Sequence, residues 1–592
     1  MYLPRINVTP RSEVVTDTFK GYVRKLKVAD GYFNDTEGVT LEEYPMLASR
    51  KPRGLMAQCE NIQGMTGTDE LVYIDNGHLF VGGEPVELPE GLSISASGKK
   101  QMVGMGAYIC IFPDAVYVNT QDISDSGYMA ERFEAVPGEN RILCEPCRAD
   151  GTIYEDVTES DTAPQNPQNG DYWLDTSGDV HSLKVWSATS GMWTAIPTVY
   201  TRISYPEIGK NFGQYDGVTI DGLKYSGAAE SIAEQADALN GDKVIYSRSD
   251  DWIVIQGMID AMFEASGTMT VAREVPQMDF VVESENRLWG CRYGLQNGKS
   301  VNELYACKLG DFKNWRCYMG VSTDSYAVTL GTGGAFTGAI TYQAHPTFFK
   351  EGAIHKVYGS APSNYQVVTD EYRGVHSGSS ESLAIVGTYL YYKSSTDVCM
   401  YDGSAPQAIS DSLGDVKYMQ AVGGAWNGNY LISMMDEDDD WHTFVYDTRL
   451  SLWIRDGGQH IRHAASVGEE LYMADSDNVL WSAGGTEGEK EAWPAWRIVT
   501  GVQGWEYTKK KRLSRYNIRL RMEEGATARA YLQYDSDGLW HYSAMLKGSG
   551  RLNTQHMFVI PRRCDHLQMK IEGEGKVEIL SISRILEEMS DL

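Results

Sequence analysis

Few residues in this chain combine the types and spacing that chemistry at a site requires. Cys144 and Cys147 form a CxxC pair, which is half of a zinc site, but no second pair and no clear histidine partner stands at ligand spacing. Nine cysteines, scattered over 592 residues, also do not resemble a disulfide framework. We interpret the pair as two reduced structural thiols, and the sequence predicts no metal or cofactor.

Acidic residues are too numerous for any one of them to indicate a catalytic role. The densest cluster, residues 436–440, lies between two predicted strands, where a solvated turn is expected, and it lacks the glycine and terminal glutamate of an EF-hand loop. Residues 310–315 form one imperfect Asp-box turn without an arginine trio. The histidines, including His460 and His463, are interpreted as structural. The sequence therefore predicts no catalytic residues and no enzyme.

One basic run is a candidate contact between subunits. Lys509, Lys510, Lys511 and Arg512 are consecutive, but the run is short and has no interleaved aromatic residues, so it does not resemble a nucleic-acid site. We therefore interpret the run either as a solvated turn or as a docking point for an acidic neighbour. We expect charge reversal here to weaken assembly at low salt.

Three tryptophans could bind a sugar by stacking. Trp173, Trp186 and Trp193 lie within a short segment rich in Gly, Pro and Asn. In so small a unit, we expect them to form the entire hydrophobic core.

The elements that must position these residues are recurring β-hairpins. Seven times, a strand is followed by a short polar turn and a second strand that ends near an aromatic residue. The spacing from Tyr305 onward is 35 to 53 residues, measured at the markers Tyr305, Tyr358, Tyr401, Tyr446 and Trp481. This period predicts a β-propeller of six to eight blades, because one blade cannot cover both of its own faces. A string of unrelated sandwich modules is the alternative.

The repeat divides the chain into five regions. We expect an N-terminal arm over 1–45, a first propeller part over 46–120, an insertion over 121–275, a second propeller part over 276–492 and a C-terminal β-sandwich over 493–592. Within the insertion, 161–197 reads as a small Trp-rich β module, and 198–275 as an α+β part with a short helix at 228–239. The predicted fold is thus mainly β.

Charge is distributed unevenly along the chain. The whole carries a net charge of −29, yet the segment from Trp493 to Leu592 has 16 Lys+Arg against 12 Asp+Glu. The remainder therefore carries −33, and a chain this acidic does not hold DNA by counterion release. The sequence shows no apolar membrane span and no secretory signal, which predicts synthesis in a reducing compartment.

Four segments resemble structural proteins of tailed bacteriophages. They are the "YPxLxxRxxR" pattern within 44–53, the segment 276–290 where the insertion rejoins the propeller, the "NPxxGDYWxDT" pattern at 166–176, and 560–565 with 573–575. In its order of parts, the chain resembles the propeller nozzle proteins of T7-like podophages, although it is shorter and has its own C-terminal sandwich. The resemblance implies a virion tail component, assembled in the host cytoplasm as a homohexameric ring without a catalytic centre.

The same resemblance implies partners and a role. A nozzle contacts a portal, an adaptor or other tail proteins, and DNA passes through its channel without specific binding. An acidic lumen would repel phosphate and keep this path free of contacts. Two alternatives remain open: a host-attachment protein that binds glycan, and a propeller glycan hydrolase, which two acids converging in the propeller mouth would indicate. Stoichiometry separates these classes, since fibres are usually trimers.

Overall fold

The computed structural model describes residues 11–178, 180–296, 298–559 and 561–589. Almost all regular structure in this part of the chain is β-strand. It contains one α-helix, Glu230–Ala238, and three single-turn 3-10 helices: Ile123–Asp125, Ser380–Ser382 and Asp411–Leu413. No helix among these residues has the length and apolar character needed to cross a bilayer.

Seven antiparallel sheets of the same design form a seven-bladed β-propeller, which confirms the predicted fold class. The first three blades, from the innermost strand outward, consist of the following strands. Blade 1 has Ile62–Gly67, Leu71–Asp75, His78–Val81 and Glu84–Pro85. Blade 2 has Gln101–Met105, Tyr108–Phe112, Val116–Asn119 and Gly127–Tyr128. Blade 3 has Phe280–Ser284, Arg287–Gln296, Lys299–Ala306 and Tyr326–Thr329.

The remaining blades follow without interruption. Blade 4 has Phe336–Tyr342, His345–Lys350, Ala353–Tyr358 and Gln366–Asp370. Blade 5 has Ala384–Val386, Tyr389–Lys393, Val398–Tyr401 and Gln407–Ala408. Blade 6 has Tyr418–Trp426, Asn429–Asp436, Trp441–Asp447 and Leu452–Gly457. Blade 7 has Ile461–Val467, Glu470–Asp475, Val479–Ser482, Gly54–Gln58 and Glu489–Lys490.

Blade 7 closes the ring by combining strands from distant parts of the chain. Its fourth strand, Gly54–Gln58, precedes blade 1 in sequence and pairs antiparallel with Val479–Ser482. The same chain segment therefore joins the first and last blades, and no strand edge at the seam is left without a neighbour. Gly54 is required there, because an added Cβ would lie 1.7 Å from the carbonyl oxygen of Glu487.

The aromatic markers occupy equivalent places. Each lies on the third strand of its blade, and all seven predicted hairpins are the second and third strands of the seven blades. Aromatic side chains also fill the spaces between blades: the Tyr391 ring of blade 5 stacks on Tyr430 of blade 6 at 5.2 Å. Tyr430 is fully buried and its hydroxyl donates to the Ser382 carbonyl at 2.7 Å. Tyrosine suits the space between blades because its ring buries a large apolar area while its hydroxyl can still hydrogen-bond to a backbone carbonyl.

The insertion leaves blade 2 and returns at blade 3. Its main sheet has eight antiparallel strands, in the spatial order Glu131–Ala135, Met269–Arg273, Gly217–Asp221, Gly241–Ser249, Trp252–Gln256, Tyr200–Ser204, Leu143–Cys147 and Phe263–Glu264. The helix contributes Ala236 to the core of this sheet, as its pattern predicted. A separate four-stranded module contains Thr158–Ser160, Tyr172–Asp175, Ser182–Ser187 and Met192–Ala195.

The sandwich is built from both ends of the described chain. One sheet contains Arg11–Thr16, Val39–Thr40, Leu47–Ser49, Lys511–Met522, Leu552–Met557, Arg563–Cys564 and Val577–Glu588. The other contains Gly21–Tyr22, Tyr32–Glu37, Trp496–Thr500, Thr527–Tyr534, His541–Lys547 and Leu567–Gly573.

The expected N-terminal arm over 1–45 is therefore not a separate element in its described part. Residues from Arg11 onward pair with the C-terminal strand, for example Arg11 opposite Glu587. Phe19, Phe33 and Leu41 also belong to the same hydrophobic core as the C-terminal strands. Burial of these side chains, at about 25 cal/mol per Å² of apolar surface, explains why the segment folds onto the sandwich.

Candidate functional site

A cavity of about 420 Å³ opens at the mouth of the propeller, where the innermost strands of several blades begin. Its wall comes from blades 1, 6 and 7 and from the loops that lead into blades 2 and 5. Ligand sites commonly lie in such mouths, because side chains from several strands converge there. This makes the cavity the first place to look for chemistry.

The mouth holds an ion cluster centred on Glu381. This residue lies in the turn Ser380–Ser382 before blade 5. Its carboxylate lies 2.5 Å from the Lys99 ammonium, which precedes blade 2, and 3.0 Å from Nδ1 of His463 on blade 7. Burial alone would raise the pKa of Glu381, but His463 and Lys99 outweigh it and lower the pKa to about 2. The carboxylate is ionised at neutral pH and is not a proton donor.

Beside the cluster, the wall presents flat aromatic surface and a cation. The Trp441 ring stacks on the His460 ring, with centroids 3.8 Å apart and an interplanar angle of 12°. Burial and the nearby Arg462 both lower the pKa of His460, so the ring is neutral at pH 7. Arg462 is exposed and donates to Asn478 at 3.3 Å. These groups suit binding better than proton transfer.

The described residues that line this cavity include one carboxylate, whereas a glycosidase uses a pair of acids. Retaining and inverting enzymes hold two carboxyl groups roughly 5 to 9.5 Å apart. Among the described residues that line the cavity, Glu381 is the single carboxylate, and it already contacts Lys99 and His463. A second acid for the hydrolase alternative is not among the described lining residues of this cavity.

The other candidates from the sequence are separated from the mouth. Cys144 and Cys147 lie three apart on one strand and so point to opposite faces. Both are buried, and burial raises the pKa of both thiols, to about 12 for Cys147. Within the described ranges, no three His, Cys, Asp or Glu side chains are grouped as a metal site would require.

The acidic cluster 436–440 is the turn between the second and third strands of blade 6, as predicted. Asp436 organises it by accepting from the backbone nitrogens of Asp438 and Asp440, and from Nε2 of His442 at 2.7 Å. The other four acidic side chains, Glu437 to Asp440, are exposed.

The basic run is less available than its sequence suggests. Lys511 is only 2% exposed, and its ammonium donates to the carbonyls of Gly504, Tyr507 and Asp565. It holds loops of its own sandwich, so it is not a subunit contact. Lys509 pairs with Glu588 at 3.2 Å, Lys510 with Asp535 at 3.7 Å and Arg512 with Glu587 at 2.6 Å. For these three residues, a role between subunits stays a prediction.

The tryptophans do not form the entire core of their module. Adjacent residues on a strand face opposite ways, and Leu174 packs with Leu183 and Val199 on the side away from Trp173. Trp193 contacts both Trp173, at 5.5 Å, and Trp186, at 5.4 Å, in edge-to-face pairs. The expectation failed because strand alternation places these rings together on the other face.

A polar junction that joins the insertion to blade 3 was not anticipated from sequence. Asp216 pairs with Arg273 at 2.5 Å, and Asn314, from the Asp-box-like turn, donates to Asp216 at 3.0 Å. Asn314 also accepts from the Gly217 nitrogen at 2.8 Å. All three side chains are buried, so the turn at 310–315 anchors the insertion.

The fold and its mouth define a class: a seven-bladed propeller with an inserted eight-stranded antiparallel sheet, a sandwich built from both ends of the described chain, and a cavity at the propeller mouth. No protein-family model and no curated protein matches the chain. Among solved structures, PorZ of the type-IX secretion system of Porphyromonas gingivalis is 10% identical with a TM-score of 0.25, covering 92% of this chain and 82% of that one.

Two further structures are similar over about half of the chain. A family 43 arabinoxylan arabinofuranohydrolase from Bacillus subtilis is 10% identical, with a TM-score of 0.15, and covers 51% of this chain and 94% of its own. A Cry1Da tryptic core variant from Bacillus thuringiensis is 8% identical, with a TM-score of 0.12, and covers 53% and 52%. Similarity at this level transfers no function to this chain.

Proposed function

We propose that this chain is a structural subunit of a bacteriophage tail, a nozzle or tail-tube component that forms a ring around a DNA-conducting channel. In the proposal the ring is a homohexamer of the virion tail, assembled in the host cytoplasm against a portal, adaptor or other tail protein. Its starting point is the resemblance of four sequence segments to phage structural proteins.

The observation that carries the proposal is the division of charge between the parts of the fold. Residues 54–490, which form the propeller and insertion, contain 27 Lys+Arg against 61 Asp+Glu. The sandwich segments 11–49 and 496–588 contain 21 against 18. An acidic surface repels phosphate and releases no counterions from DNA, so a channel lined by it lets DNA slide.

Rigid junctions support a structural role for both appended parts. Arg53 lies between the sandwich and blade 7, and its guanidinium pairs with Asp456 of blade 6 at 2.5 Å. Arg50 binds Asp456 at 3.2 Å and Glu491 at 2.8 Å. With the Arg273–Asp216 junction, these ion pairs join the sandwich and the insertion to the propeller, which supports a structural role.

The test is the stoichiometry of the purified chain, measured by light scattering across a concentration series. The proposal expects a closed assembly of about six times 65.9 kDa that retains no duplex DNA at physiological salt. A monomer at every concentration, or tight retention of DNA, would contradict it.

A second function, glycan attachment, is favoured by the Trp face of the small module. Trp186 and Trp193 are partly exposed, and Lys184 and Asp175 pair at 2.6 Å beside them. An aromatic surface flanked by polar groups is a setting in which sugars bind. Trp193→Ala should abolish binding to host surface glycan. Because it also removes the edge-to-face contacts with Trp173 and Trp186, we expect it to cost about 1–3 kcal/mol in stability while the chain still folds. Equal binding by wild type and variant would remove this candidate.

A further inference from the structure

One hairpin forms the open end of the sandwich. Its strands, His541–Lys547 and Leu552–Met557, are each the last strand of a different sheet. They are held side by side by side-chain bonds: Ser543 Oγ donates to the Phe558 carbonyl at 2.6 Å, and Gln555 bridges the Lys547 nitrogen and carbonyl at 3.0 and 2.8 Å.

The hairpin region exposes large apolar side chains repeatedly. Five of them are between 45% and 72% exposed: Leu539, Tyr542, Met545, Leu552 and Phe558. Single exposed apolar residues are ordinary on protein surfaces, but five within twenty residues of chain indicate a surface that is covered in the working protein.

The same segment is free of acid. Residues 538–564 contain four basic residues, Lys547, Arg551, Arg562 and Arg563, and no Asp or Glu, in a chain with 81 acidic residues. All four are exposed. In the described part of the chain, neither Lys547 nor Arg551 is ion-paired with a carboxylate. The hairpin surface therefore combines apolar and cationic side chains. A surface that binds it should combine apolar and anionic side chains.

We propose that this hairpin docks on the acidic propeller or insertion of a second copy of the same chain. Two copies of a cationic hairpin repel each other, so a symmetric hairpin-to-hairpin contact is disfavoured. Contact between two different surfaces of identical subunits repeats around an axis and closes a ring when the rotation permits. The inference rests on the proposed ring and names the contact that closes it.

The test compares variants of exposed residues, which should all fold. Arg551→Glu and Phe558→Ser, alone and combined, are measured against Arg515→Glu and Leu26→Ser, which change an exposed charge and an exposed apolar side chain of the sandwich outside the hairpin. The proposal expects the combined variant to raise the concentration needed for half-assembly at least tenfold at an unchanged melting temperature. The controls should stay within twofold of wild type.

Carbodiimide cross-linking between isotope-labelled and unlabelled copies identifies the other surface. The expected product joins Lys547 to a carboxylate within 54–490 of a different copy, and a link to the sandwich would overturn the proposal. If hairpin variants assemble normally into rings, the hairpin contact is wrong and the ring proposal survives. If the wild-type chain assembles through the hairpin into an open species that is not a ring, the proposed tail function is wrong and the proposed hairpin contact is supported.

Two remaining outcomes also decide the matter. A wild-type chain that never associates contradicts both proposals. Variants that assemble normally but lose a measurable affinity for a 20-base-pair duplex would instead show that the hairpin is a nucleic-acid surface.

Discussion

The propeller and the sandwich are built from the same element, the antiparallel hairpin, yet they treat its edges differently. In the propeller, Gly54–Gln58 closes blade 7 and each blade is covered by its neighbours. In the sandwich, His541–Lys547 ends its sheet with exposed apolar and basic side chains. The ring of blades closes within one chain, and in the proposed function its acidic surface repels DNA. The open edge of the sandwich is where this chain is suited to meet another.

Adding a single carbon atom at Gly54 is expected to disrupt the closure of the propeller. Gly54→Ala places a Cβ 1.7 Å from the Glu487 carbonyl, and neither backbone can move without losing the seam. We expect a loss of about 3–5 kcal/mol in the free energy of unfolding, measured with denaturant. Gly352→Ala, where an added Cβ meets nothing within 4 Å, is the matched control. Similar stabilities for the two variants would refute the closure account.

The attachment of the insertion provides a second test. Arg273→Ala leaves Asp216 buried without its cation, which costs about 3–5 kcal/mol. Limited proteolysis should then release fragments from 131–273 before the propeller is cut. Arg248→Ala, which breaks an exposed pair with Asp250, should cost under about 1 kcal/mol. If Arg273→Ala were equally mild, the insertion would not depend on this junction.

The mouth cluster gives a smaller, pH-dependent effect. The folded pKa of Glu381, about 2, is below its ordinary value of 4.5, so its ionisation stabilises the fold above pH 4.5. That contribution falls as pH decreases through the folded pKa. Glu381→Gln should therefore be less stable than wild type at pH 7, and the difference in melting temperature should shrink between pH 4.5 and 2. A difference that is constant with pH would show that charge is not the cause.

Local patterns predicted the parts of the fold that local forces determine. Alternation and turn residues reveal each hairpin, and the aromatic markers all lie on the third strand of a blade. The pairing of Arg11 with Glu587 has no such signature, since residues so far apart leave no periodic trace. For the same reason, the sequence could not predict that Lys99, Glu381 and His463 lie in contact, since the three residues are far apart along the chain.

Charge was informative at the level of regions but not of single residues. The change of sign near residue 493 matches the start of the C-terminal sandwich strands, whereas the most conspicuous basic run includes the buried Lys511. The less conspicuous residues Lys547 and Arg551 have no ion pair with a carboxylate in the described part of the chain. Which side chain is free depends on tertiary contacts that composition does not record.

An electron-microscopy reconstruction of the assembled chain tests the central claim most directly. The account predicts a closed ring whose channel wall is formed by carboxylates of the propeller or insertion, with the sandwich hairpin at the contact between neighbours. A channel lined mainly by basic or apolar side chains, or particles without a ring, would contradict it.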